Sequence, residues 1–149
     1  MRHGGLRVVS FNVYRLTFNF GIMNIFHFER LEVYQLARQL VIDVYRLLKR
    51  FPEEEKYALC SQIRRAATSI TSNIAEGMGR LSPKEQLYHI SVAYGSLSEV
   101  WSQLDISVGL GYLDRRDLEP LADQFSRVSQ MLSKLKKNIE DRIFSKSNN

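Results

Sequence analysis

Past residue 28, apolar side chains recur every three or four positions almost to the end of the chain. That spacing lines one face of an α-helix. Tyr34, Ala37, Val41, Val44, Leu48 and Phe51 make a first stripe, and Leu36, Leu40 and Leu47 widen it on one flank. So broad a stripe suits a bundle helix rather than a two-stranded coiled coil. The pattern predicts a first helix over 29–50, ended by Pro52, whose ring cannot continue the preceding turn. Pro52 also suits the first position of a second helix over 53–78, where Glu53, Glu54 and Glu55 set negative charge at the positive helix end. Cys60, Ile63, Ala67, Ile70 and Ile74 form its core stripe, and Gly77 and Gly79 stop it.

A third helix opens at Ser82-Pro83-Lys84-Glu85. This reads as a capping box, in which Ser82 and Glu85 satisfy each other's free amides. Its stripe is Leu87, Ile90, Tyr94, Leu97, Trp101, Leu104 and Val108, closed by Gly109 and Gly111. Asp114 is placed to cap a fourth helix with the stripe Leu118, Leu121, Phe125, Val128, Leu132, Leu135 and Ile139. Four helices of about 25 residues would each measure about 37 Å. Short links between long helices force antiparallel neighbours. The expected fold is therefore an all-α, antiparallel, up-down-up-down four-helix bundle over residues 23–143, with residues 144–149 fraying as a tail.

Residues 1–22 break the pattern. They are rich in β-branched and aromatic residues with partial alternation at Val9, Phe11 and Val13. A lone strand has nothing to pair with in a helical protein. The segment reads either as a leader ahead of a natural start at Met23, or as an arm that packs on a neighbour. It also carries Arg2, Arg7 and Arg15 with no acid, so the formal charge of +5 leaves only +2 for the rest. The single cysteine, Cys60, cannot make an internal disulfide. A reducing, cytoplasmic setting is expected. No apolar run is long enough for a membrane partner.

Catalytic and metal chemistry find little support. His3, His27 and His89 lack any four-residue pairing on a helix, and no Glu-x-x-His occurs, so no metal site and no cofactor are expected. His89, beside core Ile90, reads as solvent-facing. Cys60 reads as a core thiol. The Gly77–Arg80 run follows a helix rather than a strand, and so reads as a helix stop and not a phosphate loop. No catalytic residue is assigned.

Two constellations remain. Arg65, Ser69, Asn73 (or Ser72) and Glu76 form a polar row beside the second helix's apolar row. Ala93, Gly95, Ser96, Ser98 and Glu99 form a matching group on the third helix. Antiparallel pairing would set small residues against small residues and let Ser69, Asn73 and Glu76 reach Ser96 or Glu99. A register-fixing polar network is the reading favoured over a small-molecule pocket. Glu76 and Glu99 suggest acid/base work, but no nucleophile or oxyanion hole accompanies them. The second constellation is basic. Arg64, Arg65, Arg80, Lys84, Arg127, Lys134 and Lys137 are candidate phosphate contacts for RNA or DNA, or else ordinary solvated charge.

The segments FERLEVYQLA, FPEEEKYAL, QIRRAATSITSNIAEGMGR, SPKEQLYHISVAYGSLSEVWSQLDIS and LGYL resemble the four-helix-bundle family of 23S rRNA intervening-sequence proteins. The resemblance covers residues 26 to about 140 and rests on Arg64, Arg65, Ser69, Asn73, Glu76, Gly77, Gly95, Ser96 and Glu99. It implies assembly into a homopentamer. It also implies kinship with the accessory variability determinant of diversity-generating retroelements, a basic pentamer that binds nucleic acid and a reverse transcriptase. The expected function is a non-enzymatic oligomeric binding or scaffold protein that contacts structured RNA or a nucleic-acid enzyme. The alternative is a purely structural or protein–protein module.

Overall fold

Leu31 takes an extended backbone (φ −72°, ψ 127°), and this splits the first expected helix in two. The computed structural model describes residues 25–147; the leader at 1–22 lies outside the described residues. A 3-10 turn, His27–Arg30, precedes α1 (Glu32–Leu47), which tightens into a second 3-10 turn, Leu48–Arg50. Phe51 and Pro52 are extended, and Glu53–Glu55 form a third 3-10 turn. α2 (Leu59–Gly79) therefore begins six residues later than its acidic start suggests, after a break at Ala58 (φ −102°, ψ −106°). α3 (Pro83–Gly109) and α4 (Arg115–Ser147) follow. No strand occurs among the described residues.

The helices are unequal: 16, 21, 27 and 33 residues. α1 is about 24 Å long and α4 about 50 Å. α4 runs on to Ser147, into the stretch read as tail. Pro120 sits inside α4 without ending it. It lies near the helix start and is exposed, where the carbonyl it leaves unpaired faces water.

α1 packs on α2 and α4, and α3 packs on α2 and α4, so α2 and α4 are diagonal. Cross-helix partners give the directions. Ser69 meets Ser96 while Asn73 meets His89. Tyr94 meets Ser129 while Gln86 meets Arg142. Asp43 meets Gln124 while Arg50 meets Asp117. In each pair, numbers rise on one helix as they fall on the other, so the helices run up-down-up-down.

Every apolar residue expected at the core of α2 is buried: Cys60, Ile63, Ala67, Ile70 and Ile74. On α4, all but the half-buried Leu135 are. α3 is rotated from its expected phase. Its buried row is Ile90, Ala93, Leu97, Val100, Leu104 and Ser107, and Tyr94 is 38% exposed. Ala93, Val100 and Ser107 are small, so α2 approaches closely. A Cβ built on Gly77 would stand 3.0 Å from the Cβ of His89.

Neither expected side-chain cap forms as drawn. Ser82 has the extended backbone of an N-cap but makes no side-chain cap bond. Instead Gln86 holds the turn, its Nε2 donating to the Arg80 carbonyl at 2.7 Å. At the start of α4 it is Asp117 that accepts the Asp114 amide, at 2.8 Å. That bond, and then Arg50 beside it, hold the Asp117 carboxyl below the usual carboxylate range. At the same end of the bundle, the Tyr112 hydroxyl donates to Glu55 Oε1 at 2.9 Å and ties the first loop to the third. The αL backbone of Gly111 (φ 77°) completes that third turn, a conformation glycine adopts without strain.

Two predictions follow from these contacts. Gly95→Ala, at an exposed helix position with open space around it, should stabilise the protein by about 0.5–1 kcal/mol. Gly77→Ala should lower the melting temperature, because the close α2–α3 contact has to open. Paired thermal melts check both. Asp117 has a depressed folded pKa, so its stabilisation is present above the unfolded carboxylate range and is lost as pH falls through the folded value. Asp117→Asn should therefore melt below wild type at neutral pH and converge with it in acid.

Candidate functional site

The polar row of α2 lies along its seam with α3, where short side chains let the helices close. Ser69 and Ser96 face each other with their hydroxyl oxygens 2.8 Å apart. Asn73 Nδ2 donates to the Ser69 carbonyl at 2.9 Å and to its Oγ at 3.1 Å. This commits the amide group of Asn73 and turns its Oδ1 toward His89 Nδ1, 3.0 Å away. An amide oxygen only accepts, so Nδ1 carries the proton. His89 Nε2 then faces Glu76 Oε1 at 3.7 Å. Glu76 also binds Arg80 at 2.5 Å. The Arg80 carbonyl holds Gln86, and Gln86 Oε1 accepts from Arg142 of α4 at 3.0 Å.

Bonds run from Ser96 to His89 and again from Glu76 through Arg80 and Gln86 to Arg142, with His89 and Glu76 facing each other between the two runs. Ser96 is 8% exposed, the His89 side chain 13%, and the Glu76 and Arg80 side chains 49% and 43%. The inner members are held by hydrogen bonds that are costly to leave unmade. The outer ion pair is solvated and contributes little. The sequence assigned His89 to solvent; it is instead the central link between α2 and α3. Its spacing from Ser96 on the α2-facing side of α3 was the available signal, since the register that pairs Ser69 with Ser96 brings His89 to Asn73.

Chemically, this arrangement binds itself. The serines are bonded to each other and to Asn73, not to His89, so no hydroxyl has an adjacent base to activate it. Glu99 does not join the chain; it accepts from Gln103 at 3.1 Å. Arg64 and Arg65 pair with neither acid. Arg64 donates to the Lys56 carbonyl at 3.1 Å, and Arg65 is exposed. Gly95 and Ser98 are likewise exposed and lie off the seam. Cys60 is 1% exposed, and burial pushes its thiol pKa up, against a smaller lowering by Arg64. Among the described residues, no group of three or more His, Cys, Asp or Glu could hold a metal ion.

A family model described as 23S rRNA-intervening sequence protein matches residues 29–134. The chain belongs to the 23S rRNA-intervening sequence protein family. A crystal structure of a protein of unknown function from the S23 ribosomal protein family, from Bacteroides thetaiotaomicron VPI-5482, is similar with a TM-score of 0.65. It is 22% identical, over 70% of this chain and 95% of that one, which speaks for the shared fold. No match was found among curated proteins. In this 23S rRNA-intervening sequence protein, Ser69, Asn73, Glu76, Gly77 and Ser96 converge on the α2–α3 seam, whereas Arg64, Arg65, Gly95 and Glu99 do not.

The candidate basic residues are dispersed. Arg64 and Arg65 belong to α2, and Arg127, Lys134 and Lys137 to the diagonal α4. Arg127 lies 3.7 Å from Glu32. Arg80, Lys84 and Arg142 are the exception, gathered at the α2–α3 loop around Gln86. No helix among the described residues is long and apolar enough to cross a membrane.

An apolar opening lies elsewhere, between α3 and α4. It is a groove of about 380 Å³ floored by Leu97, Trp101 and Phe125 and walled by short side chains such as Ser98, Ser102 and Ala122. The Trp101 and Phe125 rings lie 4.9 Å apart. A second, charged hollow of about 440 Å³ between α1 and α4 holds Asp43, Arg46, Arg50 and Asp117, which are cross-paired.

If the seam is one network, its members should be coupled. Ser69→Ala and Ser96→Ala should each cost about 1 kcal/mol, and the double variant less than their sum by at least ~0.5 kcal/mol. Asn73→Ala should cost more, about 1–3 kcal/mol, because it strands both Ser69 and His89. Urea denaturation of the cycle measures this; strict additivity would mean the serines do not act as a pair.

Proposed function

We propose that this chain is a non-enzymatic, oligomeric binding and scaffold protein of the cytoplasm. The observation that carries the reading is the contrast between its two faces. The polar residues of the α2–α3 seam are satisfied by one another, while the half-buried Trp101 stands at an open groove between α3 and α4, over the buried Leu97 and Phe125. An open groove with a half-buried tryptophan and a polar rim offers a second molecule a surface to cover. A homo-oligomer, a pentamer by family resemblance, accounts for it. The lone buried cysteine fits a reducing compartment.

A second reading has its own observation. Arg80, Lys84 and Arg142 gather at one end of the bundle beside the exposed rings of Tyr88 and Phe144. Basic groups interleaved with aromatic faces suit a structured RNA, or a nucleic-acid enzyme such as a reverse transcriptase that carries one. In an oligomer this end is repeated, and the repeated positive field would steer a polyanion. The remaining candidates, Arg64, Arg65, Arg127, Lys134 and Lys137, are too dispersed to contribute to one footprint.

Filter binding of ribosomal RNA fragments across a salt series separates the two. Contact through the loop end predicts affinity that falls with salt, and Arg80→Gln with Arg142→Gln should flatten the log–log slope by about one to two. Absence of binding at low salt, with an oligomeric mass retained in light scattering, would leave the scaffold reading without nucleic acid.

A further inference from the structure

We infer that the α3–α4 groove receives the outer stripe of α1 from a second copy of the chain. The inference rests on the oligomeric reading above and assigns its two surfaces.

The groove runs between two contacts that join its helices, the Arg115–Asp105 ion pair, at 2.7 Å, and the Ser129–Tyr94 hydrogen bond, at 3.3 Å. Its floor is aromatic, and a half-buried tryptophan is the kind of side chain that dominates binding energy once covered. Its flanks are acidic. Glu119 and Asp123 lie one turn before Ala122 and Ser126 on α4, and Glu99 lies one turn before Ser102 on α3. All three are exposed, and none has a cationic partner among the described residues. The occupant must therefore offer bulky apolar side chains flanked by positive charge.

One helix face of this chain does so. On α1, turned away from buried Ala37, Leu40 and Val44, stand Arg38, the half-buried Ile42 and Tyr45, at spacings that align them in a single row, and Lys49 follows in the 3-10 turn Leu48–Arg50. Tyr45 is 38% exposed without a loop to cover it. Arg38 and Lys49 bracket the two apolar residues and have no acidic partner among the described residues. Of the other exposed apolar residues, Tyr57, Leu81 and Leu110 sit in or next to loops, and Tyr88, Ile106 and Phe144 stand on α3 and α4, outside this row. Complementary charge would orient the encounter and fix its register. Donor and acceptor are different patches, on diagonal helices α1 and α3, so the contact is head-to-tail and builds a ring or an open filament.

The test is charge reversal with complementation, in the full-length chain. One variant carries Glu119→Lys and Asp123→Lys; the other carries Arg38→Glu and Lys49→Glu. Wild type should run in light scattering at a multiple of 17.3 kDa. Each variant alone should dissociate to monomer, with affinity weakened more than ~100-fold by the like charges. Mixing the two should restore assembly, because each supplies the face the other has lost. Circular dichroism melts confirm that both variants fold, and the uncharged Tyr45→Ala should weaken assembly in the same direction. Variants that keep the wild-type mass would overturn the interface while leaving the oligomer standing. A monomeric wild type would overturn both. Loss of assembly only on deletion of residues 1–22 would make that segment the occupant and overturn the role of α1.

Discussion

The close approach of α2 and α3 is the constraint on which the rest of this bundle depends. At Gly77 the missing side chain leaves just enough room for His89. From there inward, Ala66, Ala67, Ala93 and Ser96 keep the seam narrow. Apolar packing alone would hold two such helices together but would tolerate a slip of one turn. The bonded chain Ser96–Ser69–Asn73–His89 does not, because a slip would strand several shielded donors and acceptors at once. Register along this seam then dictates where the α2–α3 loop emerges, and through Gln86 and Arg142 it sets the height of α4.

Much of this was legible in the sequence, and the errors have identifiable causes. The stripes of α2 and α4 were readable because the apolar residues of each recur along one row; on α1 the buried row is Val33, Ala37, Leu40, Val44 and Leu47, so the expected Tyr34 and Val41 are only half-buried. α3 is apolar on two sides. Its Ile90, Leu97 and Leu104 belong to either of two rows, one continued by Tyr94 and Trp101, the other by Ala93 and Val100. Choosing the bulkier row placed Tyr94 in the core. The structure uses the smaller row against α2 and leaves the bulkier one at the α3–α4 groove. The break at Ala58 was hidden for a related reason. Three glutamates after a proline look like a helix start, but here they serve a 3-10 turn, in which Glu55 binds Tyr112 across the bundle.

For the candidate site, the sequence supplied the residue types and the structure supplied the partners. Ser69 with Ser96 followed from antiparallel pairing. His89 was lost because a histidine beside a core isoleucine can face either side, and only the register with Asn73 decides. Glu99 was over-read because it is one residue too far around α3 to reach the seam. The basic residues illustrate the same limit. Their number is visible in a formal charge, but whether they share a face depends on which helices are diagonal, and α2 and α4 are.

Function follows from what the fold leaves unsatisfied. The inner polar side chains of the seam have each found a partner within the chain, so their chemistry is spent on holding the helices in register. The α3–α4 face is the opposite case. Trp101 is only half-buried, because its neighbours at Ser98 and Ala122 are too short to cover it. Short residues there leave part of its ring accessible at a continuing cost in exposed apolar surface. A helix row bearing Ile42 and Tyr45 between two unpaired cations carries a similar cost on the other side of the same molecule. On the interface proposed above, these two surfaces, opposite in charge, offset one another when copies meet.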